Sequence, residues 1–85
     1  MKPSCQVSWF VETRGVTLCS RDGSVRHSIP YPHAGLWALI ANGHYSTAYA
    51  SELMSVLMSV GRQEAEREVE ETLAAWMQAG FLSEE

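Results

Sequence analysis

Cysteine is scarce in this chain: Cys5 and Cys19 are the two thiols in 85 residues. Two are too few for a disulfide scaffold, and no Cys-x-x-Cys pair occurs. If a strand over residues 6–12 pairs with the next one through a turn near Thr13-Arg14, the two thiols do not stand opposite each other. No bridge is expected, and a reducing cytoplasmic compartment is the simplest setting. Basic residues are also few, six against ten acids, for a net charge of −4. Phosphate backbones need a basic face, so nucleic acid is not the expected partner. No apolar run is long enough to span a bilayer, and Met1-Lys2-Pro3-Ser4-Cys5 has no apolar core behind its lysine, so neither a membrane anchor nor a signal peptide is expected. Asp22 is the single aspartate and no Gly-x-Ser-x-Gly elbow exists, so a Ser-His-Asp site lacks its parts and no enzyme is expected. His27, His33 and His44 match no ligand spacing, so no metal or cofactor is expected. Repeats, low-complexity tracts and linkers are absent.

What the chain does have is apolar substance. Hydrophobic residues make up 46%, with three Trp, three Tyr and two Phe. That is ample for one packed domain over residues 1–85 and leaves little room for a deep catalytic cavity.

The strongest local signal is Gly15–Ile29, two β-prone runs joined by Asp22-Gly23. A two-residue type I′ turn with positive φ at both positions is the expectation. Leu18 then faces His27 and Val16 faces Ile29, so Val16, Leu18, Val25 and Ile29 share one apolar face with His27 among them. Gln6–Glu12 alternates well enough for a preceding strand, with Val7, Trp9 and Val11 on one side. A three-stranded antiparallel meander follows, with Ser24–Ile29 at its edge and Pro30 and Pro32 ending the sheet.

Three helices are expected after it. The first runs from about Pro32 to Ala41, stopped by Asn42-Gly43. A second, capped by Ser46 or Thr47, reaches about Ser59, with Tyr49, Leu53, Leu57 and Val60 as its apolar stripe, Ala50, Met54 and Val56 beside them, and Gly61 as its break. The third runs from about Gln63 to Ala79 with Ala65, Val69, Leu73 and Trp76 on its stripe. Glutamates crowd its first half, where the helix dipole favours them. Gly80 ends it, and Phe81-Leu82 fold back. The fold class is α+β, a three-stranded antiparallel sheet followed by three helices.

The succession of hairpin, Tyr31-Pro32-His33-Ala34-Gly35-Leu36-Trp37, the Asn42-Gly43 stop, the Ser46-Thr47 cap with Leu53, and Val69, Leu73, Gly80, Phe81 and Leu82 resembles the PqqD-like proteins. These are recognition domains of pathways that make modified peptides from ribosomal precursors. The likeness covers about Val7 to Leu82, although the family usually places Leu-Asn where this chain has Tyr31-Pro32. The resemblance implies a winged helix-turn-helix that binds the leader segment of a precursor peptide by strand addition to the third strand, against the last helix. It would present the leader to a modifying enzyme such as a radical enzyme, protease or cyclase. The expected peptide-binding residues are Val25, Arg26, His27 and Ser28 on the strand and Val69, Thr72, Leu73 and Trp76 on the helix. An open edge also invites self-pairing into a homodimer. Two other readings share this architecture. One is a winged-helix DNA-binding regulator, although Ser46–Ser59 carries no Arg or Lys. The other is a non-catalytic subunit docked on a partner enzyme.

Overall fold

The sheet forms where alternation and turn signals put it. A computed structural model describes residues 1–84. Three strands, β2 (Val7–Glu12), β3 (Gly15–Ser20) and β4 (Arg26–Pro30), make an antiparallel meander in the order β2-β3-β4. The register is the expected one, with Leu18 opposite His27 and Val16 opposite Ile29. Three helices follow: α1 (His33–Ala41), α2 (Thr47–Met58) and α3 (Arg62–Gln78). The chain is thus α+β. A second, two-stranded sheet was not foreseen: β1 (Lys2–Pro3) pairs antiparallel with β5 (Leu82–Ser83). Two-residue strands are too short to show a period, so nothing in the sequence distinguishes them from tails.

The hairpin turn differs from expectation. Gly23 has φ +76, and Asp22 is not among the positive-φ residues, so this is no type I′ turn. Five residues, 21–25, lie between β3 and β4. Gly23 N–H donates to the Ser20 carbonyl at 3.0 Å, and the Asp22 carboxylate accepts from Ser24 N–H, Ser24 Oγ and Ser20 Oγ at 3.0, 2.7 and 2.8 Å. An Asp that satisfies its own turn in this way removes the need for a second left-handed residue. The third strand accordingly starts at Arg26 rather than Ser24.

The bond from the Ser24 backbone, then those from the Ser24 and Ser20 hydroxyls, hold the Asp22 carboxyl down from 3.8 to about 2. A depressed folded pKa stabilises the turn at every pH above the unfolded value and ceases to do so as pH falls through the folded one. The Ser24 amide resonance is therefore expected to titrate with a midpoint near 2. A midpoint near 3.8 would mean that the carboxylate is not capping the turn.

Pro30 is the last residue of β4, opposite Gly15, and does not end the sheet before it. Ser46 caps α2 as expected, its Oγ accepting from Tyr49 N–H at 3.1 Å. The stop of α2 is Ser59 in the left-handed region (φ 56), and Gly61 with φ −68 starts α3 instead. Ser55 Oγ donates to the Val60 carbonyl at 2.6 Å and Val60 N–H donates back to the Ser55 carbonyl, which fixes that reversal.

The core gathers Val16, Leu18 and Ile29 from the sheet, Leu36, Trp37 and Ile40 from α1, Ala50 and Met54 from α2, Val69 and Trp76 from α3, and Leu82. Trp37 sits at its centre, edge to face with Trp9 at 5.8 Å and Trp76 at 5.4 Å. The stripe expected on α2 packs only in part: Leu53 is half-buried and Val60 packs against the core, while Ala50 and Met54 beside the stripe are buried outright. Tyr49 and Leu57 are exposed, and α2 turns Ala50, Ser51 and Met54 inward. Small residues at 50 and 51 let the helix backbone approach its neighbours more closely than a Tyr-Leu face would. At the other side of the fold, His33 Nε2 and the Glu68 carboxylate meet at 2.7 Å and tie the start of α1 to α3. Both cysteines are free, and no helix among the described residues is long and apolar enough to cross a membrane.

Candidate functional site: an open strand edge beside an apolar cleft

The direction of each backbone group on the sheet follows from one bond. Ser20 N–H donates to the Val25 carbonyl at 3.0 Å, so even-numbered β3 residues bond toward β4. Antiparallel ladders alternate, so odd-numbered β3 residues bond toward β2. Val25, just before β4, and His27 and Ile29 within it therefore bond inward, and Arg26 and Ser28 aim N–H and C=O outward at the free edge. Pro30 comes next in the outward set, so its missing N–H costs the ladder nothing. A strand added to β4 would bond to Arg26 and Ser28.

The side chains of β4 divide between the two faces. Arg26 and Ser28 lie on the outer face, where the Arg26 guanidinium sits 5.9 Å from the Phe10 ring centre. Beside them, Thr17 Oγ1 donates to the Glu12 carboxylate. Ser28 borders a shallow depression with Glu12, Thr13 and Arg14. On the other face, Ile29 and Leu18 are core, but the turn end of the hairpin runs past the helices. Val25 is 56% exposed there.

The space beyond is a cleft of about 350 Å³, lined by Val7, Leu18, Val25 and His27 on the sheet side and by Ala79, Gly80 and Phe81 opposite, with Gln6, Cys19 and Ser20 at its rim. The far wall is placed by the end of α3. Gly80 takes φ +84; its N–H donates to the Met77 carbonyl and that of Phe81 to the Trp76 carbonyl, at 3.1 and 2.9 Å. That pair of bonds is a Schellman close. It swings Phe81 back onto the sheet, where its ring lies 5.0 Å from the His27 ring.

Of the expected residues, then, Val25 and His27 line the cleft, and Arg26 and Ser28 offer backbone at its edge. The helix residues fall elsewhere. Val69 and Trp76 are in the core, at 1% and 6% exposure, with no face left for a ligand. Thr72 is half-buried. Leu73 packs on the core and borders a separate notch with Met1, Ala74, Met77 and Glu84. The wall that faces the sheet comes from the turn after α3, not from its stripe, because the stripe is consumed by Trp37. Leu18 and Phe81 were not foreseen as lining residues. An aromatic directly behind a helix-stopping glycine was the available signal for Phe81.

A cleft with apolar walls beside main-chain donors and acceptors that are unpaired among the described residues can hold an extended peptide with one greasy side chain. Among the described residues, no group of three or more His, Cys, Asp or Glu stands close enough to hold a metal. Comparison with protein-family models, with curated proteins and with solved structures finds no match to this chain.

Proposed function

We propose that this chain is a peptide-recognition module that takes the leader segment of a ribosomally made precursor as an added strand on β4 and presents it to a modifying enzyme. The observation that carries the reading is the coincidence of the open β4 edge with the cleft at Val25, His27 and Phe81. Main-chain bonds to Arg26 and Ser28 give affinity that tolerates sequence. An alternate side chain of the added strand, placed in the cleft, gives selectivity for an apolar residue. The resemblance to the PqqD-like family, with its winged helix-turn-helix architecture, supports the same role, as does a sheet followed by three helices. The acidic surface and an α2 without Lys or Arg weigh against a DNA-binding role.

Ser28→Pro tests the mode, because it removes an outward N–H and leaves the ladder to β3 whole. Proline at Ile29 would instead break the ladder to β3, and proline at Val25 the bond from its N–H to Ser20 Oγ. Titrating leader peptides of the neighbouring precursor genes against intrinsic Trp fluorescence, S28P is expected to bind at least about tenfold more weakly, the loss of roughly one good hydrogen bond with its register. Equal affinity for S28P, or no saturable binding to the unaltered chain, would overturn the proposal.

A second reading, a non-catalytic subunit seated on a partner enzyme, is favoured by α2, which exposes Tyr49, Val56 and Leu57 at 53%, 71% and 48%. The peptide titration separates the two, since a seated subunit needs no cargo.

A further inference from the structure

The sheet has a second open edge. By the same alternation, Val7, Trp9 and Val11 of β2 aim their N–H and C=O groups away from β3. Val7 N–H is taken by the Ser4 carbonyl at 3.2 Å; among the described residues, no backbone bond is made by the outward groups of Trp9 and Val11. Natural sheets blunt such edges with lysine, proline, bulges or short strands. β4 leaves the outward groups of Arg26 and Ser28 open but carries guards against a second copy, Arg26 in the strand and Pro30 at its end. β2 is not guarded in this way: it is six residues long, Val-Ser-Trp-Phe-Val-Glu, with no charge before Glu12. Trp9, Phe10 and Val11 are exposed at 39%, 43% and 71%.

We infer that β2 is a homodimer edge, pairing antiparallel with β2 of a second copy about a two-fold axis at Trp9. The occupant follows from the strand's own pattern. A two-fold axis normal to the sheet keeps like faces together, so residues facing each other across it must share a face. Centred on Trp9, that rule sets Trp9 against Trp9, Val7 against Val11, and Ser8 against Phe10. Each Trp9 N–H then meets the other copy's Trp9 carbonyl, and each Val11 N–H the other copy's Val7 carbonyl; the reciprocal bond from Val7 N–H to the Val11 carbonyl is forgone, because Ser4 already takes that N–H. Glu12 meets Gln6, so no like charges face each other although each copy carries −4. The strand is its own complement in this register. The dimer is a continuous six-stranded sheet with β4 outermost at both ends. Its two peptide edges stand roughly 24 Å apart, five strand spacings of about 4.8 Å.

The test is sedimentation of the full chain under reducing conditions, so that Cys5 cannot crosslink copies, at up to roughly 1 mM, since a single strand pair supports weak affinity. The unaltered chain is expected to show a concentration-dependent dimer. Val11→Pro removes an outward N–H that β3 does not use and is expected to weaken the dimer at least tenfold. Val11→Lys, which keeps the backbone and adds the usual edge guard, is expected to do the same. Ser28→Pro, on the opposite edge, leaves the dimer intact. A monomer at the highest concentration, a dimer that survives both Val11 variants, or a dimer lost in S28P would each overturn the inference. Peptide binding is read separately, so failure here leaves the β4 reading standing.

Discussion

Gly15→Ala is expected to remove a large share of this protein's margin of stability. A methyl at residue 15 would lie 2.1 Å from the Ile29 carbonyl oxygen and 2.9 Å from Pro30 Cα. Both obstacles are backbone, and neither is free to give. Gly15 faces Glu12 on one side and Pro30 on the other. Ile29 is held in the β3–β4 ladder and buried to 2%, and Tyr31 N–H donates to the Arg14 carbonyl at 3.3 Å, stitching the two corners together. Relief therefore requires that β4 leave β3 at this end. A cost of about 3 kcal/mol or more follows, at the upper end for overpacking. The whole chain has roughly 4–13 kcal/mol to lose at typical values per residue. With a urea slope of about 1 kcal/mol per molar for a domain of this size, the denaturation midpoint should fall by about 3 M. A shift of less than about 1 M would show that the corner opens to admit the methyl.

Trp37→Ala is the second large effect. The indole is fully buried and joins Trp9 of the sheet to Trp76 of α3 by edge-to-face contacts with interplanar angles of 77° and 80°. Truncation to alanine removes that bridge and leaves a cavity between layers, a loss of about 3–5 kcal/mol. The indole nitrogen adds a sharper comparison. Trp37 Nε1 is buried with no hydrogen-bond partner among the described residues, and an unmet buried donor costs about 1–3 kcal/mol. Trp37→Phe gives up ring area but also removes that cost, so it should destabilise by less than about 1.5 kcal/mol. Urea denaturation of the two variants checks this. If Phe costs as much as Ala, the N–H has a partner, and the core holds a bond at that point.

Sequence pattern carried most of the architecture because the signals were local. Alternation in Val7–Glu12 and Gly15–Ser20 located the strands, and the hairpin register at Leu18 and His27 needed only a period of two and a turn at Asp22-Gly23. Ser46 as a cap and Gly80 as a stop placed the ends of α2 and α3 to within a residue or two, since capping depends on one side chain or one left-handed φ. The turn type was misread where Asp22 offered its own carboxylate as a substitute for backbone geometry; α2 ends at Ser59 as expected, but the reversal is made there and not at Gly61, where Ser55 and Val60 bond each other and allow Ser59 to take φ 56. Both are side-chain bonds across a few residues, visible only once the chain has turned.

The three strands of the meander, the helices, their order and the pairing of the hairpin were decided by the sequence itself, through period and punctuation that act over neighbouring residues; the β1–β5 pair was not. Which face of each helix became interior was decided by the tertiary structure. α2 carries apolar residues on adjoining faces, and close packing chose Ala50 and Met54 over Tyr49 and Leu57 because small side chains let the backbone come near. The same competition took Val69 and Trp76 into the core around Trp37 and left the cleft wall to Phe81. A helical period says that a stripe exists; only the shape of what it packs against says whether that stripe is core or surface.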